Sequence, residues 1–223
     1  MNLTSIGTIH SPFDQKLGIP RQPLLCPSVE GKIVLNSDYA REDTLREIES
    51  FKYLWLLYWC HASESWRETV RPPRLGGKEK VGVFATRSPH RPNPIGLSLV
   101  KLEGINSDFS LRVSGLDILD GTPLLDIKPY LSLWDAHPEA GNGWVDKTEE
   151  LKPLEVSFEE VESADQALLS DELKSIIQET LCWDPRPAYT KDEERIFTHR
   201  VQGIDISWKK QGSKIILLKA KRA

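Results

Sequence analysis

Up to about residue 131, hydrophobic positions fall in short runs that alternate with polar ones or carry β-branched residues, and glycine or proline separates the runs. Thr4–His10, Gly31–Leu35, Gly82–Ala85, Leu97–Ile105, Phe109–Ser114 and Leu124–Leu131 have strand length, so the pattern predicts a mostly antiparallel barrel. Tyr53–Cys60 reads YLWLLYWC, apolar on both alternating faces, which predicts a central strand buried on two sides. One helix is predicted from about Glu42 to Phe51, where Leu45, Ile48 and Phe51 recur every three residues as an incomplete stripe.

The pattern changes after residues 141–153, where glycine, charge and proline cluster as in a linker. Beyond it, Leu154–Phe158 reads as a strand. Ser163-Ala-Asp-Gln166 has the spacing in which a serine caps a helix start and a glutamine reaches back. Leu168, Leu169, Leu173, Ile176, Ile177 and Leu181 continue at helical spacing, and Pro185 requires the helix to stop by Asp184. Two strands, Arg200–Trp208 and Lys214–Leu218, are predicted to close the chain. The reading is a mainly β N-terminal domain over residues 1–145 and a smaller α+β C-terminal domain over residues 152–223.

Composition adds bounds. Of 223 residues, 39% are hydrophobic and seven are tryptophan, enough apolar material for a packed core. The longest apolar run is the eight residues Tyr53–Cys60, short of the roughly 18 that a membrane helix needs, and the N-terminus lacks a basic-then-apolar leader. A cytoplasmic location is expected. Cys26, Cys60 and Cys182 form no CxxC pair and read as free thiols. The five histidines have no HExxH or i, i+4 partner, so no metal site is expected. Net charge is −4, yet Arg67 to Lys101 carries eight basic residues against Glu68 and Glu79, a local concentration suited to a polyanion. A solvated basic face describes the same letters.

That basic stretch is also the densest anomaly. Thr69–Val100 holds five prolines and four glycines around Arg71, Arg74, Arg87 and Arg91, a composition for rigid loops rather than helix or central strand. Such loops hold arginine forks toward a carboxylate or phosphate at low entropic cost, although a plain strand-ending loop has the same make-up. No GxGxxG follows a strand and no GxxxxGK[ST] occurs, which excludes the usual dinucleotide and P-loop sites; Ser88 and Ser98 lack a nucleophile elbow. Asp117, Asp120 and Asp126 surround a Gly-Thr-Pro turn, where carboxylates could accept from ribose hydroxyls or an amino group. In WDPRPAY, Arg186 and Tyr189 could meet a phosphate or a base, or simply end a helix.

PRQP (20–23), VRPPRLGG (70–77), VGVFATRSPHRPNPIGLS (81–98), LDGTPLLDIKPY (119–130) and DPRPAY (184–189), in this order, resemble the TrmO family, also called TsaA-like or YaeB-like. The resemblance implies a small closed β-barrel, distinct from the Rossmann methyltransferases, with a smaller α+β C-terminal domain. It implies S-adenosyl-L-methionine as cofactor and methylation of N6 of N6-threonylcarbamoyladenosine beside the anticodon of threonine tRNA. A homodimer with the cofactor near its interface is implied as well. By matching position, the cofactor would lie around Pro23, Leu24 and Leu25, at His61 and Ala62, at Arg87 and Leu97, and along Asp117, Ile118, Leu119 and Asp120. Arg71, Arg74, Arg91, Arg186 and Tyr189 are candidates for the threonyl carboxylate or the tRNA backbone. No residue is assigned as general base. The alternatives are a methyltransferase of the same fold acting on another RNA or a small molecule, and a non-catalytic RNA-binding adaptor.

Overall fold

The computed structural model describes residues 2–148, 150, 152–187, 190, 192 and 194–222. In chain order the barrel part contains β1 (Gly7–His10), β2 (Glu30–Leu35), α1 (Glu42–Leu45), β3 (Tyr53–Trp59), β4 (Thr69–Val70), β5 (Val81–Gly82), β6 (Ile95–Ile105), β7 (Leu111–Ser114), β8 (Thr122–Pro129) and α2 (Ser132–Asp135). Six of these strands close in the order β1-β2-β7-β6-β3-β8, with every neighbouring pair antiparallel. Closure removes the exposed edges that so short a sheet would otherwise present.

One-sided burial explains the strand pattern and corrects the reading of β3. Leu54 and Leu56 point inward and are fully buried, whereas Trp55, Leu57 and Trp59 are only half-buried. A single-layer barrel covers its inner face alone, so the outward residues of even an apolar strand stay partly open. The helix expected over 42–51 is also shorter. It stops at Leu45, Glu47 turns left-handed at φ 67°, and Ile48–Ser50 forms a 3₁₀ turn, because three apolar positions do not support three turns. The strand expected over 82–85 is reduced to a two-residue ribbon, β5 against β4, and Val83–Ala85 becomes a 3₁₀ turn.

The C-terminal part contains β9 (Glu155–Ser157), α3 (Ser163–Gln166), α4 (Asp171–Leu181), β10 (Phe197–Val201), β11 (Ile204–Gln211) and β12 (Lys214–Arg222). Its sheet runs β10-β11-β12-β9, with β9 parallel to β12. Ser163 does not cap; the helical stretch breaks after α3, and it is Ser170 whose Oγ accepts from the Leu173 N–H at 3.1 Å. The helix does end before Asp184, as Pro185 requires. The strand expected over 200–208 is two strands joined by Gln202 and Gly203, both with positive φ, a tight hairpin turn that the sequence reading passed over.

The hydrophobic core runs without a break from Ile33 and Val113 in the barrel to Trp208 and Leu217 in the sheet. Phe13 bridges to Val201, the Gln202 N–H donates to the Pro12 carbonyl at 3.1 Å, and the Trp183 Nε1–H donates to the Leu25 carbonyl at 3.3 Å. Gly18 is required where the barrel loop passes over β10: its φ is 95°, and a Cβ there would lie 2.3 Å from His199 Cδ2.

Candidate active site

Strand directions decide where chemistry can gather. Because neighbouring strands are antiparallel, the connections 11–29, 60–94 and 115–121 all leave the same end of the barrel. The last is clamped at both ends. Gly115 donates to the Val29 carbonyl and accepts from the Leu24 N–H, both at 2.9 Å. Ser11 Oγ donates to the Ile118 carbonyl at 2.6 Å, the Ser11 N–H donates to Asp120 Oδ1 at 3.0 Å, and the Asp120 N–H donates to the Phe13 carbonyl at 2.9 Å. Gly115 has φ 77°, and a Cβ there would lie 2.6 Å from Leu24 Cδ2, so the close passage of the two loops needs glycine.

The 60–94 connection is tied to the same mouth. Lys16 Nζ donates to the Ala62 carbonyl at 2.7 Å, His61 Nδ1 lies 3.4 Å from Thr122 Oγ1, and Arg87 donates to Gln22 Oε1 at 3.2 Å. Leu97 sits on β6 at this end, half exposed at 51%. The structure therefore brings the 23–25, 61–62, 87, 97 and 117–120 positions to one barrel mouth, with Leu24 exposed and Asp120 3.3 Å from His10 Nδ1.

A chain of hydroxyls that sequence reasoning missed ends on Asp117. Tyr58 OH lies 3.1 Å from Ser98 Oγ, and Ser98 Oγ donates to Asp117 Oδ1 at 2.6 Å. Tyr58 follows Leu54 and Leu56 on the inward face of β3, so period-two counting along YLWLLYWC could have found it. Gly96 leaves room for its ring, since a Cβ at Gly96 would lie 2.2 Å from Tyr58 Cζ. Burial pushes the Asp117 carboxyl up to about 6, against the opposing influence of Ser98, its own backbone N–H and the more distant Arg87. Burial, reinforced by the Asp117 charge, also raises the Tyr58 hydroxyl and takes the Cys60 thiol up to about 11, so both keep their protons at neutral pH.

The basic residues divide into two groups. Arg91 donates to the carbonyls of Val83 and Thr86 at 3.1 and 2.8 Å and stacks over Phe84 at 5.5 Å. Arg186 forks onto Asp184 at 2.7 and 2.9 Å and is only 10% exposed. Both guanidinium groups hold the chain's own loops. Arg71 and Arg74 are exposed and make no hydrogen bond or ion pair among the described residues. Arg74 borders an open cavity of about 410 Å³ that Leu25, Val145 and Trp183 also line. Tyr189 lies outside the described residues.

Comparison with known proteins fits this arrangement. The chain matches the model of the tRNA-methyltransferase O N-terminal domain over residues 8–136 and that of the TrmO C-terminal domain over residues 151–223. It is 42% identical over 216 residues to the tRNA (adenine(37)-N6)-methyltransferase of Escherichia coli, covering 92% of this chain and 91% of that one. A Pseudomonas aeruginosa protein, RcsF, provisionally designated an S-adenosylmethionine-dependent methyltransferase, is 41% identical over 93% of this chain and 91% of its own. The crystal structure of TrmO from Pseudomonas aeruginosa superposes with a TM-score of 0.80 at 32% identity, covering 99% of this chain and 98% of that one. With barrel and C-terminal sheet both matched along almost their whole length, the chain belongs to the tRNA-methyltransferase O family.

Proposed function

We propose that the protein is a tRNA methyltransferase that uses S-adenosyl-L-methionine to methylate N6 of adenosine 37, and that its substrate is the N6-threonylcarbamoyl form of that base in threonine tRNA. The observation that carries this reading is the gathering of three connections at one barrel mouth around Asp117, in a chain 42% identical over 216 residues to an adenine(37)-N6 tRNA methyltransferase.

The residues fit the cofactor's chemistry. The donor carries a cationic sulfur and an ammonium, a carboxylate, a ribose diol and an adenine; the mouth offers the Asp117 backbone and the Asp120 carboxylate to cations or hydroxyls, Arg87 to an anion, and Leu24 and Leu97 as apolar cover. Pro23, Leu25, His61, Ala62, Ile118 and Leu119 complete this proposed cofactor surface. When bound, the cofactor supplies an electrophilic methyl group. The barrel's part is to fix the reactants in line, and such positioning is worth about 7–11 kcal/mol in favourable cases. Clamps at both ends of the 115–121 loop suit that role, because a site held by several hydrogen bonds loses little freedom when it binds.

Arg71 and Arg74, exposed and without a hydrogen bond or ion pair among the described residues, are proposed for the threonyl carboxylate or the anticodon-loop phosphates. Residues 1–145 are read as the catalytic unit and 152–223 as a small α+β unit that offers a further tRNA contact. Exposed Leu97, Leu133 and Trp134 support a contact between two copies of the chain, and the tRNA substrate suggests a cytoplasmic protein. Mass spectrometry of nucleosides after incubating the protein with S-adenosyl-L-methionine and threonine tRNA, with or without the threonylcarbamoyl group, tests the reading. The methylated threonylcarbamoyl nucleoside is expected from the modified tRNA alone; methylation of neither tRNA would overturn the reading.

A further inference from the structure

We infer that Asp117 is the proton acceptor of methyl transfer, with Ser98 and Tyr58 as the residues that position its carboxylate. The inference rests on the function proposed above. An N6 nitrogen conjugated to a carbonyl is a weak nucleophile, so its proton has to leave as the new bond forms, which calls for a base at the site.

Among the carboxylates, thiols and phenols at this mouth, hydrogen-bond geometry favours one. Asp120 is already taken up by the Ser11 N–H and by His10. Cys60 and Tyr58 hold their protons. Asp117 accepts from Ser98 through Oδ1, the residue as a whole is not fully buried, and among the described residues it has no ion-pair partner. The groups that bear on it are Arg87 from the 60–94 connection, Tyr58 and Cys60 at the end of β3, and Cys26 from the 11–29 connection. Arg87 alone is cationic, and it spends a hydrogen bond on Gln22. A carboxylate held by a hydroxyl rather than paired with a cation keeps more of its basicity, and it stays aimed because Ser98 is buried and Gly96 lets the Tyr58 ring close behind Ser98.

The step balances without further reagents. The N6 proton passes to Asp117 while the N6 lone pair forms the N–C bond to the methyl carbon. The C–S bond breaks with its electrons on sulfur, so the sulfonium becomes a neutral thioether, and the carboxylic acid returns its proton to water.

Single-turnover methyl transfer at saturating S-adenosyl-L-methionine, followed from pH 5 to 9, tests the assignment. The wild type should show a rate rising through an acidic limb and then level. Asp117→Asn should lose at least 100-fold and abolish the limb while its cofactor Kd, measured by calorimetry, stays within threefold. Ser98→Ala removes a bond that favours the carboxylate, so it should slow transfer about tenfold and move the limb to higher pH; Tyr58→Phe should do the same more weakly. A purely structural role would not move the limb. The assignment is overturned if Asp117→Asn transfers within threefold of wild type, if it weakens only cofactor binding, or if His61→Ala rather than Asp117→Asn removes the limb. A wild type inactive on any tRNA overturns the underlying function, and the assignment with it; an active wild type with an undisturbed Asp117→Asn overturns the assignment alone.

Discussion

Two partly buried aspartates, Asp117 at the barrel mouth and Asp184 at the junction with the C-terminal sheet, keep opposite company. Asp184 takes a bidentate fork from Arg186 and a contact from Lys210 at 3.3 Å, and its backbone carbonyl accepts from Arg21 at 2.8 Å. Burial works against its charge, but these cations hold its carboxyl below the ordinary range. Asp117 has one hydroxyl donor, Ser98, and Arg87 as its only cationic influence, and burial prevails. The difference teaches how one chain separates tasks: charge paired with charge fixes two parts of the fold together, whereas charge held by neutral donors remains available to exchange a proton.

Exchanging the two sites breaks the comparison most severely. Asp184→Asn should lower stability by about 2–3 kcal/mol in denaturant titrations, because Arg186 is left buried without its partner, with little change in turnover per folded molecule. Asp117→Asn should do the reverse, leaving the denaturation midpoint equal or higher. A matched pair of glycines sharpens the point. Gly18→Ala, against His199 at the junction, and Gly96→Ala, against the Tyr58 ring, should each cost about 1–3 kcal/mol of stability, and only Gly96→Ala should also slow methyl transfer.

The junction carries its own pH response. Burial lowers His199 to about 4 from an ordinary value near 6.5, so the unfolded chain binds a proton that the folded one refuses. Stability should therefore be complete above roughly pH 6.5 and fall as pH drops toward 4, by about 2 kcal/mol at pH 5 for this group; an NMR titration should show folded His199 still mainly neutral at pH 5 and charging only toward pH 4. Smaller still is the electrostatic part of tRNA binding. Arg71→Ala and Arg74→Ala should each weaken tRNA several-fold, lower the salt slope by about 0.7 per lost phosphate contact, and leave cofactor affinity unchanged.

The barrel and most of its strand segments were legible because glycine and proline mark the ends of short alternating runs, and the Asp117–Asp120 segment stood out as a charged turn between two of them. Less legible was anything that depends on which face of a strand is covered. YLWLLYWC reads as buried on both sides until barrel closure assigns Leu54, Leu56 and Tyr58 inward, and only then does Tyr58 meet Ser98. Arginines posed a similar problem. Arg71, Arg74, Arg91 and Arg186 look alike in sequence, but Arg91 and Arg186 find carbonyls and a carboxylate brought to them by loops that composition cannot place. Ser163 has the spacing of a cap, but the helical stretch breaks after α3 and the structure gives that role to Ser170.

The most direct measurement is a crystal structure of the protein with S-adenosyl-L-methionine bound. The account expects the methyl-bearing sulfur at the barrel mouth, among Leu24, His61, Leu97 and Asp117. Finding it instead in the cavity of about 340 Å³ lined by Ile6, Tyr39 and Phe51, on another part of the barrel, would contradict the account.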